Sequence, residues 1–110
     1  MDKKTKKQLH AAGWTTGAAR DFLELSDAEA DFIEMKLALA QDLRARRLER
    51  HLNQTQVARI VGSSQSRVAK MEAADPSVSI DLLVRSLLKL GAARKDLAKA
   101  LSQGPQPTAG

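Results

Sequence analysis

Residues 54–72, QTQVARIVGSSQSRVAKME, constrain the fold more than any other part of the chain. Two short helical patterns stand there with a tight break between them. Val57, Ala58 and Val61 mark the inner face of the first; Val68 and Met71 mark that of the second. Gly62 closes the first helix, where a residue without a side chain takes a left-handed conformation at little steric cost. Ser63 and Ser64 follow, and either hydroxyl can cap the second helix. Ala58 matters by its smallness: two helices that cross steeply through a short turn need a thin residue where they touch.

That spacing is the spacing of a helix-turn-helix. The second helix then carries Gln65, Ser66, Arg67 and Lys70 on its outer side. Gln65 stands at the helix start, where side chains reach deepest into a DNA major groove, and its amide can bond adenine bidentately. Ser66 can donate to or accept from a base or a phosphate. Arg67 suits guanine O6 and N7, or a phosphate if tilted. Lys70, a turn further on, reaches base or backbone. Taken singly these are ordinary polar helix residues. The turn before them and the small residue at the crossing turn the balance toward double-stranded DNA.

The run over 52–72 resembles the helix-turn-helix of the phage repressor and Cro family, also called the Xre family. Gln54, Ala58, Gly62, Gln65, Val68 and Glu72 carry the resemblance at the family's spacing, over about a fifth of the chain. A wider likeness covers 21–90, through DFLELS, IEMKLALA, SSQSRVAKME and DPSVSIDLL. These phrases resemble a subgroup of short bacterial Xre regulators, many of which serve as HigA-like antitoxins beside a RelE-like toxin. The resemblance implies that Arg47, standing where the inner stripe of its helix calls for an aliphatic residue, pairs with Glu72. It also implies a DNA-backbone role for the amide near the start of the first helix. That places Gln54, with Asn53 beside it and Ser64 at the turn, against phosphates. Asn53 can in addition cap the helix that begins at Gln54.

The fold class expected is all-α: a compact domain of about five helices, plus a short extra N-terminal helix. A chain of 110 residues is long enough for one modest core. Aromatics make up 3%, so that core must be aliphatic. The formal net charge of +5 favours an anionic partner, nucleic acid first. There is no cysteine, hence no disulfide framework or thiolate metal site. No apolar run approaches membrane-span length and no signal-peptide pattern opens the chain, so a cytoplasmic protein is expected.

In chain order, 1–17 reads as a basic, mobile arm and turn, with Lys3, Lys4, Lys6 and Lys7. The arm either touches phosphates or serves as a solubilising tail. The single DNA-binding domain is expected over 18–102. Its first helix spans 18–25. Ser26 and Glu29 then form a capping box that opens the longest helix, over 27–50. Acids lie early in that helix and arginines late, complementing its dipole. Phe32, Leu39, Ala40 and Leu43 form its inner stripe, with Ile33 and Leu37 to one side. Ser79 caps a helix over 80–90 whose buried face is Ile80, Leu83, Leu87 and Leu90, leaving Val84 and Leu88 on another side. Gly91 stops it. A last helix follows over 92–101, with Leu97 and Leu101 inward, and 103–110 reads as a flexible tail.

Enzymatic chemistry finds no constellation. His10 and His51 stand alone, without metal-ligand spacing, and no serine has a histidine and acid arranged with it. No Gly-rich phosphate loop appears. No metal site and no cofactor are expected. One helix-turn-helix contacts few base pairs, so a homodimer on a near-palindromic operator is expected, its reading helices about 34 Å apart. Val84 and Leu88, or Ile33 and Leu37, would make the dimer contact. The mechanism would be repression by promoter occupancy. The rival reading is an antitoxin of a HigBA-type pair, gripping a RelE-like ribonuclease through Trp14, Phe22 and Leu25 and regulating its own operon.

Overall fold

The computed structural model describes residues 26–107. Those residues form five helices and no strand: α1 Asp27–Glu49, α2 Gln54–Val61, α3 Gln65–Glu72, α4 Ile80–Lys89 and α5 Arg94–Gln103. The expected short helix over 18–25, the basic arm, and Trp14, Phe22 and Leu25 lie outside the described residues.

Each helix begins where a side chain can satisfy an orphan amide. Ser26, Asn53, Ser64 and Ser79 accept from the backbone N–H three residues on, at α1, α2, α3 and α4. At α2 the cap is reciprocal, because Gln56 Oε1 accepts from the Asn53 N–H at 2.8 Å. α5 starts two residues later than the apolar spacing suggests. Ala93 has no capping oxygen, so Asp96 reaches back to the Ala93 N–H at 2.8 Å. That N–H, and more weakly Arg46, hold the Asp96 carboxyl below the usual carboxylate range.

Three helix ends, those of α1, α3 and α4, share one device. Leu52 N–H bonds Arg47 O, and His51 N–H bonds Leu48 O, each at 3.0 Å. Asp75 and Ala74 make the same pair of bonds to Lys70 and Met71, and Ala92 and Gly91 to Leu87 and Leu88. These are Schellman closures, which require a left-handed residue at the turn. Gly91 fills that place after α4, at φ 99°. His51 (φ 57°) and Ala74 (φ 53°) fill it without being glycine. A left-handed Cβ costs roughly 1–2 kcal/mol, offset in part by the extra freedom glycine has when unfolded, about 0.5–1 kcal/mol. Ala74→Gly is therefore expected to stabilise the domain by about 0.5–1 kcal/mol. Gly62→Ala, at φ 73° with nothing within 4 Å of a new Cβ, is expected to cost about the same. Urea denaturation of the two variants checks both signs. A Gly62→Ala protein as stable as the parent would show that the turn does not need its left-handed backbone.

The core is aliphatic. Leu39, Leu43, Val57, Val68, Met71, Leu83, Leu87 and Leu90 are its largest fully buried side chains. α1 runs beneath α3, α4 and α5, while α2 packs chiefly on α3. Phe32 departs from the inner stripe assigned to it: it is 52% exposed. Its angular position on α1 matches Leu39, but it lies about 10 Å further along the axis. The core cluster begins only at Leu39. Periodicity reports which side a residue faces, not how far the core extends along that side.

Two lysines tie helix ends to the scaffold, Lys36 Nζ to Asp75 O at 2.9 Å and Lys89 Nζ to Val61 O at 3.3 Å. Beyond α5, Gln106 exchanges two hydrogen bonds with the Gln41 amide, at 2.9 and 2.7 Å, and lies against α1.

Candidate nucleic-acid interface

The turn between α2 and α3 is built from three consecutive residues. Gly62 takes the left-handed conformation (φ 73°, ψ 42°) and Ser63 N–H returns to Ala58 O at 2.8 Å. Ser64 then caps α3, its Oγ accepting from Arg67 N–H at 3.2 Å. Of the two serines, Ser64 is the cap. Ala58 is 4% exposed at the crossing. Val57, Ala58 and Val61 from α2, and Val68 and Met71 from α3, all enter the core.

Burying Val68 and Met71 turns the opposite edge of α3 outward. Gln65, Ser66, Arg67 and Lys70 are all exposed on it. Ser64 and Asn53, at the starts of α3 and α2, are exposed as well, and Gln54 is half-buried. Among the residues of α2 and α3, Arg59, Arg67 and Lys70 are exposed cations, and Glu72 is the one acid. Glu72 is 5% exposed in its side chain and spoken for by Arg47. The face therefore presents positive charge alone, the sign that phosphates attract.

Behind that edge lies a continuous chain of side-chain hydrogen bonds. Arg47 Nε donates to Glu72 Oε2 at 2.6 Å and Nη2 to Oε1 at 3.0 Å, a bidentate pair with the arginine 12% exposed. The remaining Arg47 nitrogen, Nη1, donates to Leu52 O at 3.1 Å. Its bond to Glu72 pushes the Arg47 pKa above the ordinary arginine value. Gln54 Nε2 donates to Glu72 Oε1 at 3.2 Å, and Gln65 Nε2 donates to Gln54 Oε1 at 2.6 Å. α1, α2 and α3 thus each contribute to one connected set that ends at the first residue of α3.

The sequence alone does not reveal this link. A signal existed: amides at positions 54 and 65 flank a turn that folds two helices together. Pairing them needs the crossing geometry, which spacing alone does not supply. Arg59, exposed on α2, adds to the positive face.

The arrangement can bind an anionic rod edge-on. The first free N–H groups of α2 and α3 suit phosphate oxygens, and the capped start of α3 carries an amide, a hydroxyl and a guanidinium side by side, groups able to hydrogen-bond base edges. Among the described residues no cluster of metal-ligating side chains occurs, and no helix is long and apolar enough to cross a membrane.

Residues 43–91 match the protein-family model described as helix-turn-helix. The match takes in α2, α3 and α4 whole, with the last part of α1. It supports a DNA-binding regulator in general. No curated protein and no solved structure matches the chain.

Proposed function

We propose that this helix-turn-helix protein is a sequence-specific transcriptional regulator that binds a near-palindromic operator as a homodimer and represses by covering the promoter. The observation that carries the reading is the outer edge of α3. Its four polar side chains are exposed, its start is capped, and its first amide is held from behind. Gln65, Ser66, Arg67 and Lys70 read bases, while Asn53, Gln54 and Ser64 lie along the backbone. Gln54 keeps one amide hydrogen for a phosphate after donating the other to Glu72.

Four apolar residues are candidates for the dimer contact. Leu88 is 44% exposed, whereas Val84 is partly buried against the core, and Ile33 and Leu37 are half-buried. Leu88 is the most available of the four. Selection of binding sites from random duplexes, followed by footprinting, tests the whole reading. An enriched motif with two half-sites about one helical turn apart is expected. Binding should weaken steeply as salt rises, because each neutralised phosphate releases counterions. Enrichment of nothing, or binding indifferent to salt, would defeat it.

A second reading gives the chain a protein partner, a RelE-like toxin that it would neutralise while regulating its own operon. The resemblance over 21–90 supports it, and Phe32 and Met35, exposed on α1, offer apolar surface to such a partner. Co-purification with a small basic ribonuclease encoded beside it would favour this reading, and both roles are compatible in one chain.

A further inference from the structure

We infer that Glu72, which reaches no base, sets which base Gln65 reads, by dictating the polarity of two amides in series. The inference rests on the DNA-reading role of α3 proposed above. A glutamine side chain ends in an oxygen and a nitrogen of almost equal size, and a half-turn of the terminal torsion exchanges them. A free glutamine on a helix edge can therefore present either order. Here it cannot. The Glu72 carboxylate is an acceptor with no hydrogen to give, so Gln54 must turn its NH2 toward Oε1, where it sits at 3.2 Å. Gln54 then has only its oxygen to offer Gln65. Gln65 must answer with its own NH2, at 2.6 Å.

What remains on Gln65 is one N–H and the carbonyl oxygen. A donor beside an acceptor complements adenine, whose N7 accepts and whose N6 donates. It opposes guanine, whose N7 and O6 both accept and would set O6 against the Gln65 oxygen. Burial matters to this. Glu72 is 5% exposed and locked by Arg47 on both oxygens, so water does not compete for the place Gln54 fills. Glu72 is a positioning residue: it acts on the base through Gln54 and Gln65.

Glu72→Gln makes the relay testable because it can run backwards. Both oxygens accept from Arg47, so the new amide nitrogen must displace one of those bonds. Placing it at the Oε1 position keeps the shorter bond, from Arg47 Nε to Oε2 at 2.6 Å. That nitrogen then donates to the Gln54 oxygen, Gln54 presents NH2 to Gln65, and Gln65 turns its oxygen inward. Two N–H groups now face the groove, the complement of guanine. Gln54→Met removes the middle amide and leaves the Arg47–Glu72 pair untouched, so it serves should Glu72→Gln fail to fold.

The experiment is parallel selection on random duplexes with the parent, Glu72→Gln and Gln54→Met, together with side-chain amide NMR of the free proteins. At one operator position the parent is expected to prefer adenine. Glu72→Gln should move the adenine-to-guanine ratio there by roughly tenfold toward guanine, and Gln54→Met should flatten it. Other positions should hold. The Gln65 NH2 signals should shift in both variants. Unchanged preference at that position in the folded variants, with Gln65 signals unmoved, would overturn the relay. A parent that enriches no motif would overturn the DNA reading and the base choice built on it. Shifted Gln65 signals in the free variants would even then separate that failure from a failure of the amide coupling.

Discussion

Glu72→Ala should destabilise the domain by about 3–5 kcal/mol. The change removes one partner of a pair that is 12% and 5% exposed, and strands a guanidinium that gave two of its donors to the carboxylate. Arg47 cannot shed its charge even without the carboxylate that raises its pKa here, since a guanidinium stays protonated in proteins. Nor can it swing to water without releasing the Leu52 carbonyl. Domains of this kind are stable by about 5–15 kcal/mol, so the loss is a large share of the total. The cost measures an uncompensated charge, not the net worth of the pair. Replacing both partners together, Arg47→Met with Glu72→Leu, should therefore cost much less than the single change. Urea titration of the single and double variants checks this, and a single variant within about 1 kcal/mol of the parent would mean the pair is not buried in solution.

The second large effect concerns recognition. Gln65→Ala and Arg67→Ala should each cost about 1–3 kcal/mol of operator binding and relax preference at one or two neighbouring base pairs. Arg59→Ala, on the exposed side of α2, should instead weaken binding to all duplexes alike and lower the salt slope by about one. Fluorescence anisotropy against the selected operator and its single-base variants separates the two behaviours. If Gln65→Ala weakened every duplex equally, α3 would be lying along phosphates and some other element would be reading the groove.

Much of the architecture was legible because it rests on local chemistry. Ser26, Asn53 and Ser79 announce helix starts through side-chain oxygens that need no tertiary partner, and Gly62 announces a turn because few other residues take its backbone cheaply. The inner faces of α2 and α4 follow from spacing. Other features depend on what lies across the fold. His51 and Ala74 adopt left-handed backbone under the pull of two Schellman bonds each, and neither residue type signals it. Phe32 has the expected angular position and is 52% exposed all the same, because the core cluster starts further along the helix. At α5 the cap comes from inside the helix, from Asp96, and no capping residue stands in front of it to mark the start that apolar spacing places two residues early. In the site, the edge residues of α3 could be named singly, while the bond from Gln65 to Gln54 needed the angle at which the two helices cross.

Arg47 holds Leu52 by both of its main-chain groups, receiving the N–H on its own carbonyl and giving Nη1 to the carbonyl oxygen. The joint between the long helix and the helix-turn-helix pair is thereby latched on two sides and has no elbow. Should two chains pair through the scaffold, that latch would carry the pairing geometry to the groove without slack. A half-site spacing one base pair too long or too short could then be met only by twisting the DNA.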